Sequence, residues 1–208
     1  MKKIDKKLYA DDIQELLGIE YLPALKIAAS ELAECDVKKD LEYKANPPLN
    51  DKLEAQYGPL LDKQYAIPMY VKWVNKTVEY GVFADVDLER GDMVCEYTGV
   101  LCRDDTDDDE NAYIWDYPTI RYEHVEGKKR RKKVKYCIDA LKSGNFARFI
   151  NHTVRKHQNV GVQIVPRNNV WHVVYVAKKK IKKGQQLLTY YGTQYWRDRQ
   201  IVPHPIEP

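Results

Sequence analysis

Beyond residue 66, apolar and polar positions alternate in short runs. Met69-Tyr70-Val71-Lys72-Trp73-Val74 has the period-two pattern of a half-buried strand, with β-branched and aromatic residues. Val82-Phe83-Ala84 follows a glycine, and Met93-Val94-Cys95-Glu96-Tyr97 follows the turn signal Arg90-Gly91-Asp92. The alternation returns at Tyr113–Tyr117, Val134–Ile138, Gly161–Val165 and Val170–Val176. Many short strands separated by turns predict a mostly β core, not a βαβ array. No internal repeat is visible.

Residues 1–66 carry a helical period instead. Asp11 or Asp12 is placed to cap a short helix bearing Ile13, Leu16 and Leu17, ended by Gly18. Pro23 suits the first turn of a second helix, where Leu22, Leu25, Ala29, Leu32 and Ala33 recur at helical spacing. Asn46-Pro47-Pro48-Leu49-Asn50 reads as a break or linker. The expected organisation is a helical amino-terminal extension at 1–66 packed on a main domain at 67–192. That domain carries an insert at about 102–135, and a tail follows at 193–208.

Composition narrows the class. With 208 residues, the chain can bury about 70% of its unfolded surface and needs no disulfide or metal staple. No apolar run approaches the roughly 20 residues of a membrane span, so no membrane partner is expected. The basic start, Met1 to Lys7, is followed by no apolar signal core, which argues against a cleaved secretory signal but not against export by a route that leaves none; an intracellular chain is the expectation. Cys35, Cys95, Cys102 and Cys137 form no CxxC or Cys/His pattern. They are expected to be reduced and buried, and no metal site is expected.

The net charge of +3 is too small to demand a polyanionic partner, so that argument rests on local clusters. Asp104-Asp105-Thr106-Asp107-Asp108-Asp109-Glu110 is acidic and suits a basic peptide. Lys128, Lys129, Arg130, Arg131, Lys132 and Lys133 form a basic run. Each run reads as a solvated loop. The basic one reads equally as a nuclear-import signal or a contact with the phosphates of DNA or a nucleosome.

Three distant segments carry the chemistry. The first is Tyr80-Gly81-Val82-Phe83-Ala84, with Leu88 to Gly99 after it. The second is Tyr136-Cys137-Ile138-Asp139-Ala140, leading to Ala147-Arg148-Phe149-Ile150-Asn151-His152-Thr153. The third runs from Ile181 to Gly192 and ends Leu187-Leu188-Thr189-Tyr190-Tyr191-Gly192. Their order and spacing resemble the SET-domain family of protein-lysine methyltransferases, from about Val71 to Trp196. The Arg-Phe-Ile-Asn-His and Gly-x-x-Leu-Leu-x-x-Tyr-Gly elements are specific in combination.

The resemblance implies a β-clip-like SET fold of several small sheets with a carboxy-terminal pseudo-knot, plus the α-helical amino-terminal arm. It implies transfer of methyl from S-adenosylmethionine to a lysine amine. A free lysine has a pKa near 10.4, so such a site must favour the neutral amine. A neighbouring sulfonium and a narrow, partly dry channel both do so. Alignment supplies the remaining rate, and tyrosines suit the channel as flat walls with orienting hydroxyls.

By the same resemblance, Tyr191 and Tyr97 are the catalytic pair, Tyr97 lining the lysine channel. Tyr80, Gly81, Tyr113, Asn151, His152 and Trp196 fall at cofactor positions. Tyr97, Tyr113, Trp115 and Thr189 fall at substrate positions. Thr189 stands where side-chain size influences how many methyls are added, and its small volume leaves room for more than one. Arg148 and Phe149 support the turn, Asp139 fixes the loop, and His152 is not a general base.

The chain departs from the family pattern in two ways. Glu79-Tyr80-Gly81 stands where relatives usually show Gly-x-Gly. The cysteine-rich zinc clusters of many relatives are missing, so the tail, with Trp196, must close the pocket another way. The implied substrates are lysines in basic proteins, histones or histone-like, and the implied location is the nucleus or chromatin. The compact, zinc-free layout is similar to bacterial or viral SET proteins that act on chromatin, which admits a secreted effector working in a host nucleus. A homodimer is also admitted. The alternative is a catalytically weak SET-like module that binds chromatin or nucleic acid, with Glu79 impairing the cofactor loop.

Overall fold

The computed structural model describes residues 3–32, 36–104, 111–124, 131–198 and 205–206. The amino-terminal stretch holds α1 (Ala10–Leu17), β1 (Glu20–Tyr21), β2 (Lys26–Ile27), α2 (Leu41–Ala45) and α3 (Pro47–Leu61). Strands β3 (Met69–Asn75), β4 (Glu79–Ala84), β5 (Met93–Glu96), β6 (Val100–Arg103) and β7 (Ile114–Asp116) follow. Next come β8 (Arg121–His124), β9 (Arg131–Val134), β10 (Tyr136–Asp139), β11 (Ser143–Gly144) and β12 (Asn151–His152). The chain continues through β13 (Val160–Arg167), β14 (Val170–Ala177) and β15 (Leu188–Thr189) to α4 (Thr193–Asp198). Each alternating segment of the sequence contains a strand.

The strands form several small sheets. β3 and β4 make an antiparallel hairpin, and β14 lies between β13 and β5. β10 runs between β6 and β7, with β2 added in parallel on the outer side of β6. β1 pairs in parallel with β11. The β8–β9 hairpin pairs with no other sheet among the described residues. Leu101, Tyr136, Ile138, Trp171 and Leu187 are buried at the centre of the main core. α3 seals a second cluster by placing Leu53, Tyr57 and Leu61 on one helical face against Met93, Val165, Val174 and Val176. Each such side chain contributes about 1.5–3 kcal/mol when fully buried.

The amino-terminal extension differs from its sequence pattern in three places. The capping position of α1 is Tyr9, and Asp12 sits one turn in, where its carboxylate accepts the Tyr9 N–H at 3.0 Å. Gly18 ends that helix in the left-handed conformation, φ 68°. The helix expected from the spacing of Leu22, Leu25, Ala29, Leu32 and Ala33 does not form over the described residues 22–32. Lys26 and Ile27 pair with Val100 and Leu101, and only Ser30–Leu32 makes a 3-10 turn. The open edge of β6 supplies partners that a solvent-exposed helix would not need: Lys26 N–H donates to Gly99 O at 3.0 Å and Ala28 N–H to Leu101 O at 2.9 Å. Asn46 is a break, ending α2 and capping α3, but Pro47–Asn50 are no linker and instead open α3. The Asn46 side chain accepts the Leu49 N–H at 3.3 Å. Pro47 and Pro48 occupy the first positions, where no N–H is required.

One buried carboxylate ties the extension to the rest. Asp40 Oδ2 accepts the Trp171 indole N–H at 3.0 Å and the Thr119 hydroxyl at 2.6 Å.

The carboxy-terminal segment then closes the site. β12 and β15 pair in parallel, Asn151 beside Leu188 and His152 beside Thr189. The Asn159 amide holds the chain as it enters β15, donating to Gln186 O and accepting from Leu188 N, each at 2.7 Å. Ile206 N–H returns to His152 O at 3.0 Å. This is the close passage that a pseudo-knot requires. No helix among the described residues is long and apolar enough to cross a membrane. Cys35, the acidic run from Asp105 to Glu110, and Lys128, Lys129 and Arg130 lie outside the described residues. Cys95 and Cys137 are buried and Cys102 is half-buried; none of the three is in a disulfide, and the Cys102 and Cys137 sulfurs lie 3.8 Å apart.

Candidate active site

A cavity of about 310 Å³ opens where β4, β7, the 146–152 turn and α4 meet. Its wall contains Tyr80, Tyr97, Tyr113, Trp115, Asn151, His152, Tyr191 and Trp196, which come from segments far apart in sequence. Thus most residues singled out from the sequence share one enclosure. Two do not reach the wall. Thr189 is buried in β15, and its hydroxyl accepts from the Gln158 amide at 3.2 Å. Gly81 lies behind the wall: a Cβ there would come within 2.3 Å of Gln186 Nε2 and 3.0 Å of Asn151 Nδ2. Its missing side chain admits these two amides, so its direct neighbours are protein groups.

Local hydrogen bonds set each polar group. Tyr191 donates its hydroxyl to Ile150 O at 2.7 Å, and Tyr97 donates to Tyr113 O at 2.8 Å. Both phenol hydrogens are therefore engaged, and the oxygens keep lone pairs as acceptors. Burial pushes both phenols up from their ordinary value, so they are neutral at physiological pH. The Asn151 amide donates to Tyr80 O at 2.9 Å. The Tyr191 N–H donates to His152 Nδ1 at 3.2 Å, which marks that nitrogen as unprotonated. Burial lowers the His152 pKa from its ordinary value, consistent with a neutral ring.

The loop under Tyr113 is braced from behind. Asn111 accepts the Tyr113 N–H at 2.9 Å and donates to Asp139 at 3.1 Å, while Asp139 also accepts the Leu141 N–H at 2.8 Å. The Arg148 guanidinium lies 4.0 Å from the centre of the Tyr113 ring and donates to Leu141 O at 3.1 Å.

The tail forms a roof. The Trp196 and Tyr191 rings are stacked, 13° apart with centroids at 6.0 Å, and the His152 ring meets Trp196 edge-on at 4.8 Å. Tyr195 packs against Tyr191 at 4.8 Å and reaches toward Ala112 O across the opening. Buried polar atoms without partners among the described residues include Trp196 Nε1 and Arg148 Nε and Nη1, both on wall residues. Such atoms cost about 1–3 kcal/mol each unless something fills the cavity and accepts their hydrogens.

Sequence reasoning missed Tyr175, Tyr195 and the position of Arg148 on the wall. Tyr175 alternates with Trp171 and Val173 on the inner face of β14 and so reads as core. Tyr195 adjoins Trp196, and that pairing was the available signal.

Comparison with known proteins decides the family. A family model described as the SET domain matches residues 79–192, more than half of the chain. The chain belongs to the SET-domain family. It is 35% identical over 127 residues to the N-lysine methyltransferase KMT5A-A of Xenopus laevis, covering 60% of this chain and 36% of that protein. It is 31% identical over 127 residues to the histone-lysine N-methyltransferase EZH2 of Chaetomium thermophilum, covering 56% of this chain and 8% of that protein. The chain thus spans about a third or less of the length of these two relatives. The crystal structure of ATXR5 in complex with histone H3.1 shares the fold, with TM-score 0.61 and 18% identity over 88% of this chain and 85% of that one.

Proposed function

We propose that this SET-domain chain is a protein-lysine methyltransferase that uses S-adenosylmethionine and acts on basic proteins of the histone type. The observation that carries the reading is the single enclosure shared by Tyr191, Tyr97, Asn151, His152 and Trp196. The names of the relatives, N-lysine and histone-lysine methyltransferases, support the same activity. Histone substrates imply a chromatin location.

The residues fit the cofactor. Unpartnered donors on Trp196 and Arg148 and a mostly aromatic wall suit a ligand with a flat heterocycle and several acceptors. Asn151, His152 and Trp196 would hold its nucleoside end, beside Tyr80 and Tyr113. When bound, S-adenosylmethionine supplies a methyl group on a sulfonium. Gly81 serves this indirectly, by letting Asn151 and Gln186 approach.

The chain's own task is to select and align a neutral amine. The aromatic walls of Tyr97, Trp115 and Tyr175 suit an aliphatic stem, and the free lone pairs of Tyr97 and Tyr191 accept its N–H groups. The cavity wall holds no carboxylate among the described residues, and His152 Nδ1 already accepts the Tyr191 N–H. No side chain there is available as a base, so the amine loses its proton to water. The Arg148 cation and the low-dielectric surroundings lower the amine's pKa and favour that loss. The rate should accordingly rise with pH along a single ascending limb, with neither tyrosine titrating in the usable range.

The test is labelled S-adenosylmethionine with core histones and a panel of basic proteins, beside Tyr191→Phe. Labelled lysine is expected with the parent. The variant is expected to lose at least about tenfold, or ~1.4 kcal/mol of transition-state stabilisation. Equal labelling by both would overturn the assignment.

The reading as a catalytically weak binding module draws on Glu79. That residue holds the left-handed backbone, φ 57°, which suits a glycine. Calorimetry discriminates, because such a module would fail to bind millimolar S-adenosylmethionine.

A further inference from the structure

The β8–β9 hairpin stands outside the machinery described above, and among its described residues only one of its two faces carries an acid. Directly opposed residues in an antiparallel pair point to the same side. The register places Tyr122 opposite Lys133 and His124 opposite Arg131. Tyr122, His124, Arg131 and Lys133 are all exposed, Tyr122 by 61%. They make a face of cations and ring side chains.

The opposite face has Arg121 beside Val134 and Glu123 beside Lys132. Val134 is buried, and Arg121 and Glu123 are half-buried. The hairpin's described carboxylate, Glu123, is turned to this side and clamped by Arg103, with contacts of 2.6 Å and 3.2 Å. Arg103 in turn holds Glu31 at 2.5 Å. Glu123 is thereby both neutralised and kept off the exposed face.

We propose that the face formed by Tyr122, His124, Arg131 and Lys133 is a docking surface for the backbone of double-stranded DNA. A two-stranded ribbon fits the major groove, roughly 12 Å wide. Arginine and lysine sharing a face with no acid among the described residues suit phosphates, and the Tyr122 hydroxyl adds a donor. The ribbon is rooted beside the candidate active site. Tyr117 N–H donates to Tyr136 O at 2.9 Å, joining its two ends just past β7, whose Trp115 lines the cavity. Duplex held on the ribbon would deliver DNA-bound basic proteins to the cavity. The partner class rests on the proposed methyltransferase reading; the exposure of Arg131 and Lys133 on a face whose described residues include no acid does not.

The test uses the full chain with a short labelled duplex, followed by fluorescence anisotropy between about 50 and 200 mM salt. The double variant Arg131→Gln/Lys133→Gln should bind more weakly, and its slope of log K against log salt should become shallower by about two, near 0.9 per lost phosphate contact. Tyr122→Ala should weaken binding at every salt concentration. Methylation of an isolated histone-tail peptide should be unchanged in these variants, while methylation of assembled nucleosomes falls. Unchanged duplex affinity in the double variant would overturn the proposal. So would tenfold tighter binding of single-stranded RNA, or of an acidic peptide, than of the duplex. Failure here with peptide methylation intact leaves the catalytic reading standing. Failure of peptide methylation in the parent removes that reading without touching the duplex measurement.

Discussion

Nδ1 of His152 accepts the backbone N–H of Tyr191 at 3.2 Å. One hydrogen bond therefore joins the Asn-His turn to the tyrosine proposed to face the amine. It requires an unprotonated Nδ1, and it couples the placement of Tyr191 to the charge of the imidazole.

His152 is held below its ordinary value of 6.5 by burial. An unfolded chain would take up the proton first as the pH falls. The stability contributed by the neutral ring is thus complete above pH 6.5 and is lost as the pH drops through the depressed folded value. Thermal melts from pH 7.5 to 5 should show a steeper loss for the parent than for His152→Gln. Parallel curves would remove His152 as the acid-sensitive group.

Trp196 supplies the roof with both a ring and an unpartnered N–H. Trp196→Phe keeps an aromatic ring and deletes the donor. The expected cost is about 0.5–1.5 kcal/mol of S-adenosylmethionine binding, a roughly two- to tenfold higher Kd by calorimetry, with little change in Tm. An unchanged Kd would mean that the indole nitrogen makes no ligand contact.

Glu79 occupies backbone space that disfavours a side chain, at φ 57°. Relief of that strain by Glu79→Gly is worth about 1–2 kcal/mol. The added freedom of the unfolded chain takes back about 0.4–1 kcal/mol. The net gain should be near 1 kcal/mol, raising Tm by about 2–4 °C in differential scanning calorimetry. A lower Tm would show that Glu79 makes contacts worth more than its strain.

The strands and most of the cavity wall were legible in the sequence for different reasons. Strands announce themselves by alternation, and tertiary burial at Val71, Ile138 and Trp171 reinforces the same pattern. Wall residues such as Asn151 and Tyr191 were found through motif spacing. What motifs do not encode is which way a neighbouring side chain turns. Thr189 is one residue from Leu188 and two from Tyr191, yet it faces Gln158 and not the cavity. The spacing from Leu22 to Ala33 misled because it suits a helix, while the backbone at Lys26 and Ile27 finds a strand edge to pair with. Asn46 does break the helices, but Pro47–Asn50 misled as a linker in the opposite sense, since paired prolines can open a helix as well as interrupt one.

That borrowed edge gives the amino-terminal extension a protective duty. β2 covers β6 and β1 covers β11, so two rows of backbone donors and acceptors are shielded from other chains. Trimming the protein at Ile67 would bare them and orphan the Trp171 indole that Asp40 satisfies. Such a fragment should self-associate by strand addition, visible as growing light scattering, before any catalytic defect could be assessed.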